Sequence, residues 1–172
     1  MLAAMIAHHG SEKAEKWAAG IKENLARKPQ GGDRDQIKAA AAGECDIAIG
    51  NTYYYGKMQN AKDQAQRDAV AKVGMFWPNQ NDRGAHVNIS GAAVTKSSKN
   101  TAEAIMLIEY LADTHAQEFY ASSNYEFPVK EGVTLDKTVQ SWGNYKADAV
   151  GLDKVADQQV EAVKIFDRVG WR

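Results

Sequence analysis

The most constraining stretch of this sequence lies between residues 33 and 58. There a helical pattern gives way to a very short apolar run and then to three consecutive tyrosines. Asp33 stands where a helix can be capped, Ile37 to Ala42 continue that helix, and Gly43 can close it through a left-handed turn. Asp46-Ile47-Ala48-Ile49 reads as a short buried strand, and Gly50-Asn51-Thr52 turns the chain into Tyr53-Tyr54-Tyr55. In an open α/β fold, the C-terminal end of a strand is the edge where ligands bind. This order therefore delivers residues 51 to 55 to a place where a site can be built.

The rest of the chain follows the same alternation. A helix that begins without a cap runs through Met5 and Ile6 and stops at Gly10, which points to further sequence upstream. Ser11 is a good N-cap for an amphipathic helix carrying Ala14, Trp17, Ala18, Ile21 and Leu25, and Pro29 should follow its end. Ala61 to Val73 is a further helical stretch. His86-Val87-Asn88-Ile89-Ser90 and Ala92-Ala93-Val94-Thr95 read as strands. Ser98 or Asn100 caps a helix bearing Ile105, Met106, Ile108 and Leu111, and another helix covers Thr114 to Ser122. Tyr125 to Val129 is extended, and Lys154 to Arg168 forms the last long helix. Helices interleaved with a few short strands predict an α/β fold, with helices packed on a short mixed sheet. The strands are scattered, and their sheet partners are not evident in the chain.

Composition narrows the functional classes. Of the 172 residues, 44% are hydrophobic and 25% charged, the balance of a globular protein with a proper core. A net charge of -1 offers nucleic acid no electrostatic footing. The apolar runs fall far short of a membrane-spanning helix. Cys45 is the single cysteine, so no internal disulfide can form, and its strand-like surroundings predict a small buried hydrophobe. The sequence carries neither a Walker A loop nor a nucleophile elbow, and no base–nucleophile constellation. Ligand capture rather than catalysis is the expectation.

The tyrosine run is the strongest candidate site, although packing and hydrogen bonding are the commoner role of such a run and spacing alone does not select iron. Phenolate is a hard, anionic oxygen donor of the kind a hard trivalent cation prefers over thiolate or neutral imidazole. Neighbouring residues of a helix point roughly 100° apart, so Tyr53 and Tyr54 can serve one ligand only at a helix start or turn, which Gly50-Asn51-Thr52 supplies. His8 and His9 also diverge on a helix, and they read as an exposed helix end rather than a metal pair. His86 and His115 read as structural, and Trp17, Trp77, Trp142 and Trp171 as packing aromatics.

The stretch from Arg27 to Met58, with its Asp33-Arg34-Asp35, Asp46-Ile47-Ala48-Ile49-Gly50-Asn51-Thr52 and tyrosine run, resembles the bacterial ferric-ion-binding proteins. The likeness continues through His86-Val87-Asn88-Ile89-Ser90-Gly91, Val94-Thr95-Lys96 and Tyr125-Glu126-Phe127-Pro128-Val129 into the final helix, and so covers essentially the whole chain. Members of that family are periplasmic substrate-binding components of iron(III) ABC transporters, with a transferrin-like, two-lobed, type II periplasmic-binding-protein fold. The resemblance implies Fe(III) bound by Tyr53 and Tyr54, with Tyr55 at a position usually filled by another aromatic. It implies a synergistic anion contacted by Asn51. Asp33 falls near another anion contact that is uncharged in phosphate-using relatives; a carboxylate there repels an anion, which makes a carbonate-like anion the expectation over phosphate. An inner-membrane ABC permease is the implied partner.

The resemblance also implies an incomplete fold. Residues 1–84 would be a second-lobe segment bearing the tyrosine motif, residues 85–134 a segment returning to the first lobe, and residues 135–172 a C-terminal helical segment of the second lobe. The other iron ligands of the family lie in sequence that is not in this chain. Exposed apolar surface is then expected, with homo-oligomerisation as one way to cover it. The alternative is a truncated fragment that serves as a structural or oligomeric module and binds metal weakly or not at all.

Overall fold

The computed structural model describes residues 1–171. It forms two compact units, each assembled from separate stretches of the chain. Residues 1–31, 76–88 and 145–172 make the first, and residues 32–75 and 89–144 the second. This grouping differs from the expected division of the chain near residues 84 and 134.

In the first unit, α1 (Leu2–His9) and α2 (Ser11–Glu23) pack with α9 (Leu152–Asp157) and α10 (Gln159–Arg168). Their apolar faces converge on a core of Leu2, Ala3, Ile6, Ala14, Ala18, Ala162 and Ile165, with Trp17 and Phe166 against it. The small Ala14 and Ala18 are fully buried, which lets α2 approach its neighbours closely. Gly10 closes α1 as expected, at φ 81, and it also stands as the N-cap of α2. Ser11 is therefore the first helical residue rather than the cap, because Gly10 alone separates the two helices. The expected single helix from Lys154 is interrupted at Gln158 into α9 and α10.

A buried carboxylate ties the non-helical segments of this unit to α1. Asp148, its side chain 3% exposed, places both oxygens 2.9 Å from His8 Nε2 and lies 3.6 Å from Arg83 Nε. Ala85 and Ala147 form an isolated parallel bridge, with Ala85 N–H donating to Lys146 O and Asp148 N–H to Ala85 O, both at 2.8 Å. Gly84, at φ 99, permits that approach: a Cβ there would stand 2.6 Å from the Lys146 carbonyl oxygen.

The second unit contains α3 (Asp33–Ala41), α4 (Thr52–Gln59), α5 (Gln64–Val70), α6 (Thr101–Leu111), α7 (Thr114–Asn124) and α8 (Lys137–Gln140). Helices α3, α4 and α5 pack around Ile37, Met58 and Val70. Three aspartates cap helices in this unit: Asp63 accepts from Ala65 N–H at 3.0 Å, Asp113 from Ala116 N–H at 2.9 Å and Asp136 from Thr138 N–H at 2.8 Å. The stretch expected to be helical from Ala61 is helical only after Asp63, the residue that caps it. Asn100 holds the N-cap position of α6 without a side-chain bond. Tyr125 ends α7 in the left-handed conformation at φ 59 rather than starting an extended run, and α8 was not foreseen.

No strand forms among the described residues, so the expected short mixed sheet has no counterpart there. Residues 46–49, 86–90 and 92–95 carry strand-like sequence, but a strand exists only by pairing, and only Ala85 beside these segments finds an edge. Their apolar side chains lie open: Ile47 is 81% exposed and Ile49 57%. Cys45 is likewise only half-buried, contrary to the buried position expected. The expected apolar surface is also present on α6, which has no buried residue and exposes Ile105, Met106 and Leu107.

One contact fixes α4 against the rest of its unit. A Cβ on Gly56 would lie 2.6 Å from Tyr125 Cβ and 3.0 Å from Trp142 Cζ2. Helix propensity favours alanine over glycine by about 1 kcal/mol, whereas forcing a methyl into filled space costs about 1–3 kcal/mol. The close approach to a backbone-proximal atom decides for the clash. Gly56→Ala is expected to lower the urea unfolding midpoint, and a midpoint at or above that of the parent chain would show that α4 does not pack there.

Candidate metal centre

The three tyrosines occupy the first turn of α4, and the structure gives them different tasks. Asn51 is the N-cap residue, with extended backbone (φ −78, ψ 137), and the helix starts at Thr52. This is the helix start that two neighbouring phenols require. The Tyr53 and Tyr54 rings lie side by side, with centroids 4.3 Å apart and planes tilted by 36°. Tyr55 turns away: its hydroxyl donates to Val73 O at 2.7 Å, and its ring meets Trp142 edge-on at 6.2 Å. Tyr55 therefore packs, as does one side of Tyr54 against the Ile37–Met58–Val70 core.

Cations flank the paired phenols. The Arg34 guanidinium lies 5.6 Å from the Tyr54 ring centroid, and Lys57 Nζ lies 5.2 Å from that of Tyr53. Both are within cation–π range. Their charge would also partly offset that of two phenolates on one metal ion. In the absence of metal, hydrogen bonding to Tyr54 is the chief reason that the Tyr53 phenol is pushed up to about 12, followed by desolvation and then the Tyr54, Asp33 and Glu126 charges. At neutral pH the Tyr53 phenol is thus held protonated, and a metal ion bound through its oxygen would have to displace that proton. Such binding would be favoured as pH rises.

Asn51 is held by a residue 18 positions away. Asp33 Oδ2 accepts from Asn51 N–H at 2.7 Å and from Asn51 Nδ2 at 2.9 Å. Asp33 itself is the first residue of α3 rather than its cap; Gly32 occupies the cap position, and its N–H donates to Asp35 Oδ2 at 2.9 Å. The sequence marked Asp33-Arg34-Asp35 as a charged helix start, and it gave no local signal that Asp33 reaches the tyrosine turn or that Arg34 and Lys57 face the rings.

The histidines stand apart from this centre. His8 faces Asp148, whereas His9 Nε2 lies 2.8 Å from Arg83 Nη1, so the two neighbours take different partners. Among the described residues, no three His, Cys, Asp or Glu side chains converge on a point where a metal could sit. The donor pair assembled here is phenolic.

Comparison with known proteins identifies the family of the chain. The family of bacterial extracellular solute-binding proteins matches residues 1–154. The chain belongs to this family. Iron uptake protein A1 of Synechocystis is 42% identical across all 172 residues, which make up 48% of its length. The solved ferric binding protein of Campylobacter jejuni superposes with a TM-score of 0.96 at 44% identity, over 99% of this chain and 54% of that one. A Trichodesmium protein solved in complex with iron and citrate superposes with a TM-score of 0.94 at 41% identity, again over 99% of this chain and 54% of that one. The chain thus spans about half the length of these relatives. It shares their periplasmic-binding-protein type of fold, and iron binding and iron transport are the themes of this solute-binding group.

Replacing Tyr54 with Phe removes the principal cause of the raised Tyr53 ionisation. The Tyr53 phenol is then expected to deprotonate at lower pH, followed by phenolate absorbance in an alkaline titration. An unaltered high-pH ionisation in the Tyr54→Phe protein would show that the two hydroxyls are not coupled.

Proposed function

We propose that this solute-binding chain captures ferric iron through the phenolate oxygens of Tyr53 and Tyr54, as part of the substrate-binding component of an iron(III) ABC transporter. The observation that carries the proposal is the pairing of those two rings at the start of α4, with Tyr55 diverted into packing. Two hard anionic oxygens side by side suit a hard trivalent cation. The iron named for the Synechocystis and Campylobacter relatives and bound in the Trichodesmium structure supports the same choice. The work is that of a carrier: bind the ion, hold it out of hydrolysis, and hand it to an inner-membrane permease from the periplasm.

Two phenolates fill only part of a ferric coordination shell. In this reading the remaining positions are completed by the portion of the fold that the relatives have beyond this chain, or by the chelate that delivers the iron. In this reading residues 85–134 belong to a first lobe of the longer fold and residues 1–84 and 135–172 to a second, a division that cuts across the two compact units of this chain. The open segments at residues 46–49 and 86–95 are strands of sheets whose other members lie in that additional portion. The apolar face of α6, within the first-lobe segment, packs on the same portion. A carbonate-like synergistic anion at Asn51 remains part of this reading, in competition with the Asp33 carboxylate to which the Asn51 amide donates.

Phenolate-to-iron charge transfer absorbs visible light, which gives a direct test. Adding ferric citrate to the protein is expected to produce an orange-to-red colour that grows as pH is raised. Tyr53→Phe and Tyr54→Phe should each weaken the band, and the double variant should abolish it. A band that survives the double substitution, or none in the parent chain, removes the basis of the proposal.

A further inference from the structure

The residue that holds the tyrosine turn need not touch the metal. An asparagine at an N-cap commonly turns its own side chain onto the first helical N–H groups. Asn51 makes no such bond. Instead its backbone N–H and its side-chain Nδ2 both donate to the same oxygen of Asp33, at 2.7 and 2.9 Å. The preceding residue runs alongside the same carboxylate, since a Cβ on Gly50 would fall 3.4 Å from Asp33 Oδ2 and 3.5 Å from Asp33 Cβ. The contact spans 18 residues of sequence and joins the first residue of α3 to the cap residue of α4.

Three consequences follow from the chemistry. Hydrogen bonds to an ionised acceptor are stronger than neutral ones, so the pair of bonds is a firm clamp on the backbone at Asn51. That backbone sets the direction in which α4 leaves, and hence where the phenols of its first turn stand. A negative charge is also favoured near the N-terminus of a helix, where a bound anion would otherwise be stabilised. Asp33 supplies that charge from within the chain.

We propose that Asp33 is a positioning residue for the tyrosine pair: an internal carboxylate that clamps Asn51 at the start of α4 and takes the place an external anion would otherwise have at that asparagine. This rests on the reading of Tyr53 and Tyr54 as ferric ligands. It makes ferric binding through this half of the site independent of phosphate or bicarbonate.

The test uses the full chain with Asp33→Ala and the near-isosteric Asp33→Asn. In the iron-free proteins, the amide signals of Asn51 in nitrogen-15 NMR report the clamp. Ferric affinity, by competition against citrate, reports its consequence, with and without added bicarbonate or phosphate. In Asp33→Ala the Asn51 backbone and side-chain signals are expected to shift and exchange faster, and ferric affinity to fall about 10- to 100-fold, as for loss of a residue that orients a metal ligand. Asp33→Asn, which keeps an acceptor oxygen, should recover part of the affinity. Added bicarbonate or phosphate should leave the parent unchanged and strengthen binding by Asp33→Ala.

Unmoved Asn51 signals in Asp33→Ala overturn the clamp. So does a parent chain whose ferric affinity rises with added anion as steeply as that of the variant. A parent chain without a ferric band overturns the ferric reading and the positioning role with it. Equal ferric affinity in parent and Asp33→Ala overturns the positioning role alone.

Discussion

Asp33 Oδ2 receives two hydrogen bonds from Asn51, and the geometry of the tyrosine turn depends on them. A helix start is otherwise a loose structure, because its first N–H groups have no intrahelical partner and its entering chain can swing. Here the cap residue is anchored to the neighbouring helix by a carboxylate, while the far side of α4 is pinned by the close approach of Gly56 to Tyr125 and Trp142. Between those two constraints lie Tyr53 and Tyr54, with little freedom to point elsewhere.

The surroundings of the pair balance opposing charges. Asp33 and Glu126 disfavour ionisation of Tyr53, while Arg34 and Lys57 lie over the rings. A trivalent cation reverses the balance, since its own charge is the largest in the site and stabilises both phenolates. On the ferric reading proposed above, the Tyr53 phenol stays protonated while the centre is empty and ionises on loading. Proton release on loading couples capture to pH, a property of phenol donors that carboxylates, already ionised near neutrality, do not share.

Elsewhere the molecule shows what helices and extended segments each require. A helix satisfies its own backbone, so α1 through α10 form wherever the sequence supplies apolar spacing and a boundary residue. An extended segment must find an edge in another part of the chain. The segments at residues 46–49 and 86–95 carry strand-like patterns yet form no strand among the described residues, with Ile47 and Ile49 open. The bridge between Ala85 and Ala147 forms where Gly84 allows two backbones to meet. In the Campylobacter and Trichodesmium proteins, matched along 54% of their length with TM-scores of 0.96 and 0.94, the same chain path lies within a longer chain.

Much of this was determined by local sequence. Gly10 ends α1 because glycine alone enters the required conformation cheaply, and Asn51 begins α4 because an asparagine after a glycine turns readily into a helix. The tyrosine run identified the candidate site for the same reason: a helix start is the one place where adjacent phenols can meet. The strand-like segments form no strand among the described residues, since alternation records a preference for extended backbone and says nothing of whether a partner edge exists. Cys45 was expected to be buried on the strength of that missing sheet. What only the tertiary structure decided is which side chains meet across long separations. Asp33 reaches Asn51, Arg34 and Lys57 face the phenols, and Tyr55 rather than its neighbours bonds to Val73. No local pattern encodes such contacts, because they arise from the packing of α3, α4 and α5 around Ile37, Met58 and Val70.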